Sequence, residues 1–127
     1  MFKQDFIMRV ISEAIRTILK LVFHIDADTP KEEVLQTREG RDSYDDFIRM
    51  IDRGEINEAE NQLYEIVDGK DKEALKIALL FYSHLNEKDD DFLEEHDYSR
   101  EEIQMGVRSV SEKYGVDSIL DVFSSNR

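Results

Sequence analysis

The chain contains no cysteine and no tryptophan, a single proline and five scattered glycines among its 127 residues. Without cysteine there are no disulfides, no thiolate zinc site and no thiol nucleophile, which fits a reducing compartment such as the cytoplasm. Its glycines stand alone at positions 40, 54, 69, 106 and 115, so no glycine-rich phosphate loop exists. Long apolar runs are missing too. In the most apolar segment, Met1 to His24, the residues Arg9, Glu13, Arg16 and Lys20 interrupt the pattern, leaving nothing near the ~20 residues of a membrane span. The segment is expected neither to span a membrane nor to be removed as a signal peptide. Positive charge is scarce: the net charge is −13, which disfavours direct binding to nucleic acid, whose phosphates require a basic footprint.

What is present is helical periodicity. The length suits one helical domain, 1–127, with a core large enough to need no metal or disulfide support. On a helical projection of residues 1–24, Arg9, Ser12, Glu13, Arg16 and Lys20 share one face. Ile7, Val10, Ile11, Ala14, Ile15, Ile18, Leu19 and Val22 cover the other, with Phe6 and Phe23 at its edges. Such a stripe needs more than one neighbour. It can lie over two helices of its own chain, pair with a second copy in a homodimer, or rest on an anionic membrane. The last is disfavoured by Glu13, which dilutes the basic face, and by the acidic remainder of the chain.

Further along, Thr29-Pro30-Lys31-Glu32 predicts a short capped helix ending near Gly40. Tyr44, Phe47, Ile48 and Ile51 repeat at helical spacing behind a Ser43 cap, with Gly54 as the stop. Ile56, Ala59, Leu63, Ile66 and Val67 form a second stripe up to Asp68-Gly69, making residues 43–69 a helical hairpin. Residues 71–123 supply the C-terminal helices: an apolar one from Asp71 to about Asn86, expected at the centre of the fold; an acidic stretch, Glu87 to Asp97, with a short helix; one behind the Ser99-Arg100-Glu101-Glu102 capping box; and a last short helix, capped by Asp117, through Ile119, Leu120, Val122 and Phe123. The class is all-α. Gly106, inside a predicted helix, costs about 1 kcal/mol against alanine, which points either to close helix packing there or to a tolerated weak spot.

The turn and second helix of the hairpin, Gly54 to Leu63, resemble a tetratricopeptide repeat: Gly54 stands at the end of helix A and Ala59 at the small position of helix B. One period of 34 residues on, these project onto Lys88 and Leu93, so no tandem array follows. The opening Asp5-Phe6-Ile7-Met8-Arg9 is similar to that of a family of small uncharacterised helical proteins of Firmicutes. That resemblance implies bacterial origin and a tetratricopeptide-like helical fold, and brings no catalytic residue.

Chemistry is not legible. His24, His84 and His96 show no paired-ligand spacing, and an EF-hand begun at Asp89 would need glycine at 94, where Glu94 stands. A solvated loop is the simpler reading of residues 87–97. No Gly-x-Ser-x-Gly is present. The expectation is therefore no catalytic, cofactor or metal site, no cofactor, and a non-enzymatic, cytoplasmic module for protein–protein interaction. Its partner is expected to be a protein or peptide in a groove near Tyr44, Tyr64 and Tyr82. A small-ligand binder or enzyme with an inter-helix pocket is the alternative, and peripheral membrane association through the first helix a further one.

Overall fold

The computed structural model describes residues 2–121, which form seven α-helices and one 3₁₀ turn, without a strand among them. The helices are α1 (Phe2–Phe23), α2 (Lys31–Val34), α3 (Arg38–Asp52), α4 (Ile56–Val67), α5 (Lys72–Asn86), α6 (Asp90–Glu95) and α7 (Arg100–Lys113), followed by the 3₁₀ turn Asp117–Leu120. No helix among the described residues is long and apolar enough to cross a membrane.

α5 is the axis. Every residue from Ala74 to Tyr82 is buried, as are Leu85 and Asn86, because α1, α3, α4 and α7 all pack around it. Helix directions follow from polar ties at its two ends. At the C-terminal end the Asn86 amide donates to Met8 O at 2.9 Å and Ser12 Oγ at 3.1 Å, while Lys76, near the other end, lies over the Phe23 ring. So α1 runs antiparallel to α5. α7 is antiparallel too: Arg100 donates to Asn86 O at 2.6 Å and the Tyr114 hydroxyl to Asp71 O at 2.7 Å. α3 runs parallel, with Glu73 at its start and His84 against Asp52 at its end.

The stripe on α1 is used inside the chain. Ile7, Ile11, Ala14, Ile15 and Ile18 are buried against α5 and α7, each large aliphatic side chain contributing about 1.5–3 kcal/mol on burial. Leu19, Val22 and Phe23 pack at the edge of the core, whereas Phe6 and Leu21 remain 64% and 61% exposed.

Two local expectations change. The short helix after Pro30 stops at Val34 rather than near Gly40, and Gly40 lies inside α3. The cap of α3 is Thr37, not Ser43: its Oγ1 accepts from Gly40 N at 2.9 Å. A carboxylate from another helix makes this earlier start favourable, since Glu73 Oε2 accepts from the Gln36 and Thr37 amides at 2.8 and 3.1 Å. Orphan donors at a helix start are thereby satisfied across the fold. Ser99 caps α7 as its spacing requires, with Glu102 N donating to Ser99 Oγ at 3.2 Å, while the Glu102 carboxylate accepts from Ser99 Oγ at 3.3 Å. In place of the expected last short helix capped by Asp117 there is a 3₁₀ turn, Asp117–Leu120, with Val116 at its start; Val122 and Phe123 lie outside the described residues.

At the α3–α4 corner Gly54 takes φ +88°, a conformation that strains other residues. A Cβ there would also lie 2.1 Å from His96 Cδ2. The His96 ring packs at a tilt against Phe92, so this corner receives the α6 segment directly.

Candidate functional site

Three tyrosines from three parts of the chain converge on one carboxylate oxygen. Glu60 follows Ala59, which is fully buried and lets α4 approach α5 closely. Tyr82 of α5 donates to Glu60 Oε2 at 2.6 Å, Tyr98 from the turn before α7 at 2.9 Å, and Tyr64, one turn along α4, at 3.1 Å. α7 can lie over Tyr82 because Gly106 has no side chain: a Cβ at that position would be 2.4 Å from Tyr82 Cζ. The close packing expected at Gly106 is thus against the ring of Tyr82.

Burial, and then the charge of Glu60, push the Tyr82 and Tyr98 phenols far above their ordinary range. The same two causes raise Tyr64. All three therefore act as hydrogen-bond donors at neutral pH and not as phenolate nucleophiles. An ionised carboxylate is an acceptor only, which suits three donors on one oxygen.

The network floors a cleft of about 250 Å³ between α4 and α7, lined by Glu60, Tyr64, Tyr98, Glu102, Met105 and Gly106. Met105 is 68% exposed and also lines a second, apolar groove of about 260 Å³ between α1 and α7, with Val10, Ile11, Ala14 and Val107. Met105 is therefore a ridge between two grooves.

Of the tyrosines read as groove candidates, Tyr64 and Tyr82 meet at Glu60, while Tyr44 is buried in α3. Tyr98 was not among them. It precedes the Ser99 cap, the position from which a hydrophobic side chain staples a helix start, and that signal could have marked it. Glu60 carries no local signal at all, being one of 30 acidic residues.

The remaining polar clusters hold the fold. Arg100, almost wholly buried, donates to Asn86 O, Lys88 O at 3.0 Å and Asp90 Oδ1 at 2.5 Å, tying α5, α6 and α7 together. Asp52 accepts from Lys88 and lies 2.8 Å from the His84 ring; hydrogen bonds from Lys88 and then His84 hold its pKa below the ordinary carboxylate value. Glu73 is raised by burial, but hydrogen bonds from Thr37, Lys76 and Gln36 outweigh this and leave it lowered. His24, His84 and His96 stand apart, and no group of three or more histidine or acidic residues is arranged to hold a metal among the described residues.

A family model described as a family of unknown function, DUF6483, matches residues 1–115. Comparison with curated proteins and with solved structures finds no match. The match spans nearly the whole helical body, from α1 through α7, and the chain belongs to this family.

Proposed function

We propose that the protein is a non-enzymatic, cytoplasmic interaction module that docks a protein or peptide partner in the cleft between α4 and α7. One observation carries this reading: Tyr64 and Met105, two of the large hydrophobic side chains left exposed, flank the same cleft. Exposed aromatic and methionine side chains beside a preformed concave surface are typical anchors of protein recognition. The α3–α4 hairpin supports a tetratricopeptide-like character, with its left-handed Gly54 and its fully buried Ala59 at the two positions of that resemblance.

The test is affinity capture with the full chain and with Met105→Asp, a substitution at an exposed position that is expected to leave the circular dichroism unchanged. Proteins retained by the unaltered chain are expected to be lost with Met105→Asp. An identical set from both would refute docking at this cleft.

Self-association is a second reading, supported by the exposure of Phe6 and Leu21 on α1. Light scattering on the full chain tests it, and a monomer at all concentrations would end it.

A further inference from the structure

We infer that the α4–α7 cleft receives a lysine or arginine side chain of the partner segment, with an apolar neighbour of that residue seated across Met105 in the α1–α7 groove. This rests on the docking reading and adds the chemistry of the occupant.

The cleft offers negative charge that the chain does not neutralise. Glu60 Oε2 is taken by three hydroxyls, while its second oxygen accepts no hydrogen bond from the described residues. Among the described residues Glu102 accepts only from Ser99, at 3.3 Å. Among the described residues no lysine or arginine pairs with either carboxylate, although ion pairs occur elsewhere, at Lys113 with Asp68 and Lys88 with Asp52. The tyrosine hydroxyls turn toward Glu60, so their rings line the cleft while their donors are already satisfied. Aromatic rings and carboxylates together suit an organic cation, which gains from the ring quadrupole as well as from the charge. An anion or a neutral hydrogen-bond acceptor would find no free donor on Tyr64 or Tyr98. The groove beyond Met105 is different: Val10, Ile11, Ala14, Val107 and Leu120 give it a mainly apolar lining, with Gln104 and Arg108 of α7 beside them. A single extended or helical segment with a basic residue beside an apolar one complements both surfaces at once.

The probe is acetyl-Leu-Lys-Leu-amide, titrated into the isotope-labelled full chain and followed by backbone amide shifts. Its control is the same peptide with norleucine, which keeps the alkyl stem and removes the ammonium. The lysine peptide is expected to move residues 60, 64, 98, 102, 105 and 106 saturably, and the norleucine peptide to bind about two- to fivefold more weakly. Glu102→Gln, which retains the capping geometry, is expected to weaken the lysine peptide by a similar factor without changing the norleucine peptide. Raising the salt concentration should act in the same direction.

Equal binding of both peptides would overturn the inference and leave the docking reading standing as an apolar site. Equal binding of free lysinamide would assign the cleft to a small cation and overturn the peptide source. No cleft shift with any of these probes would overturn the inference, whereas the docking reading is tested separately and falls if Met105→Asp captures the same proteins.

Discussion

Removing the shared acceptor, Glu60→Ala, isolates what the tyrosine network contributes. Tyr82 is fully buried and Tyr98 5% exposed, and both hydroxyls lose the carboxylate that accepts them at 2.6 and 2.9 Å. A stranded buried hydroxyl costs about 1–3 kcal/mol, so the pair sets a range of about 2–6 kcal/mol. Tyr64, at 36% exposed, can turn to water and adds little. Because the cleft opens to solvent, water replaces part of the lost acceptor, and the expected loss is about 2–3 kcal/mol. That is a large share of the roughly 5–15 kcal/mol typical of a domain. The triple variant Glu60→Leu with Tyr82→Phe and Tyr98→Phe removes donors and acceptor together and is expected within about 1 kcal/mol of the parent chain, since an apolar replacement of a whole polar cluster leaves nothing stranded. Urea denaturation of the three proteins measures this, provided the slope with denaturant stays constant. A loss below about 0.5 kcal/mol for Glu60→Ala, or a triple variant less stable than the single, would refute the reasoning.

Other perturbations follow from the same geometry. Gly106→Ala gains about 1 kcal/mol of helix propensity but drives a methyl into the Tyr82 ring, an overpacking that costs about 1–3 kcal/mol. Thermal unfolding is expected to show a net loss, and a stabilised variant would contradict the close approach of α7. Lys70, which holds φ 57°, is exposed, and Lys70→Gly is expected to stabilise by about 0.5–1 kcal/mol, read by the denaturation midpoint. Raised native pKa values of Tyr82 and Tyr98 leave stability untouched below the ordinary tyrosine value of 10.0. Above it the unfolded chain loses protons that the native one keeps, so stability falls by about 3 kcal/mol per pH unit for the two groups. Tyrosinate absorbance should show these two titrating only as the chain unfolds, and early titration of all five would contradict the network. On the acid side the lowered Asp52 and Glu73 stabilise above their ordinary values of 3.8 and 4.5, and this is lost as pH falls through their native values; a urea midpoint that is flat down to pH 3 would contradict it.

Much of the fold is written locally. The Ser99 capping box, the Gly54 corner and the apolar run Ile77–Tyr82 each carry their own signal, and the helices form where those signals lie. The start of α3 is not local, because Glu73 of α5 supplies the acceptor that Thr37 and Gln36 need. The candidate site is harder still. Glu60 acquires its place only when α4, α5 and the Tyr98 turn meet, and periodicity within one helix says nothing about which acidic residue faces a neighbour's hydroxyl. Tyr64 and Tyr82 stand out in sequence as aromatics on helices, yet Tyr44 looks the same there and goes to a different part of the core. The wide apolar stripe on α1 signals burial without saying by what, and α5 and α7 supply the answer.

Site-specific photo-crosslinking in the producing cell, with a benzophenone side chain placed in turn at Met105, Leu21 and Asp45, tests the central claim most directly. All three positions are exposed, and only Met105 lies at the α4–α7 cleft. The account predicts a discrete adduct with another protein from position 105 and none from 21 or 45. An adduct from Leu21 alone, or one from position 105 with twice the mass of the chain, would contradict it.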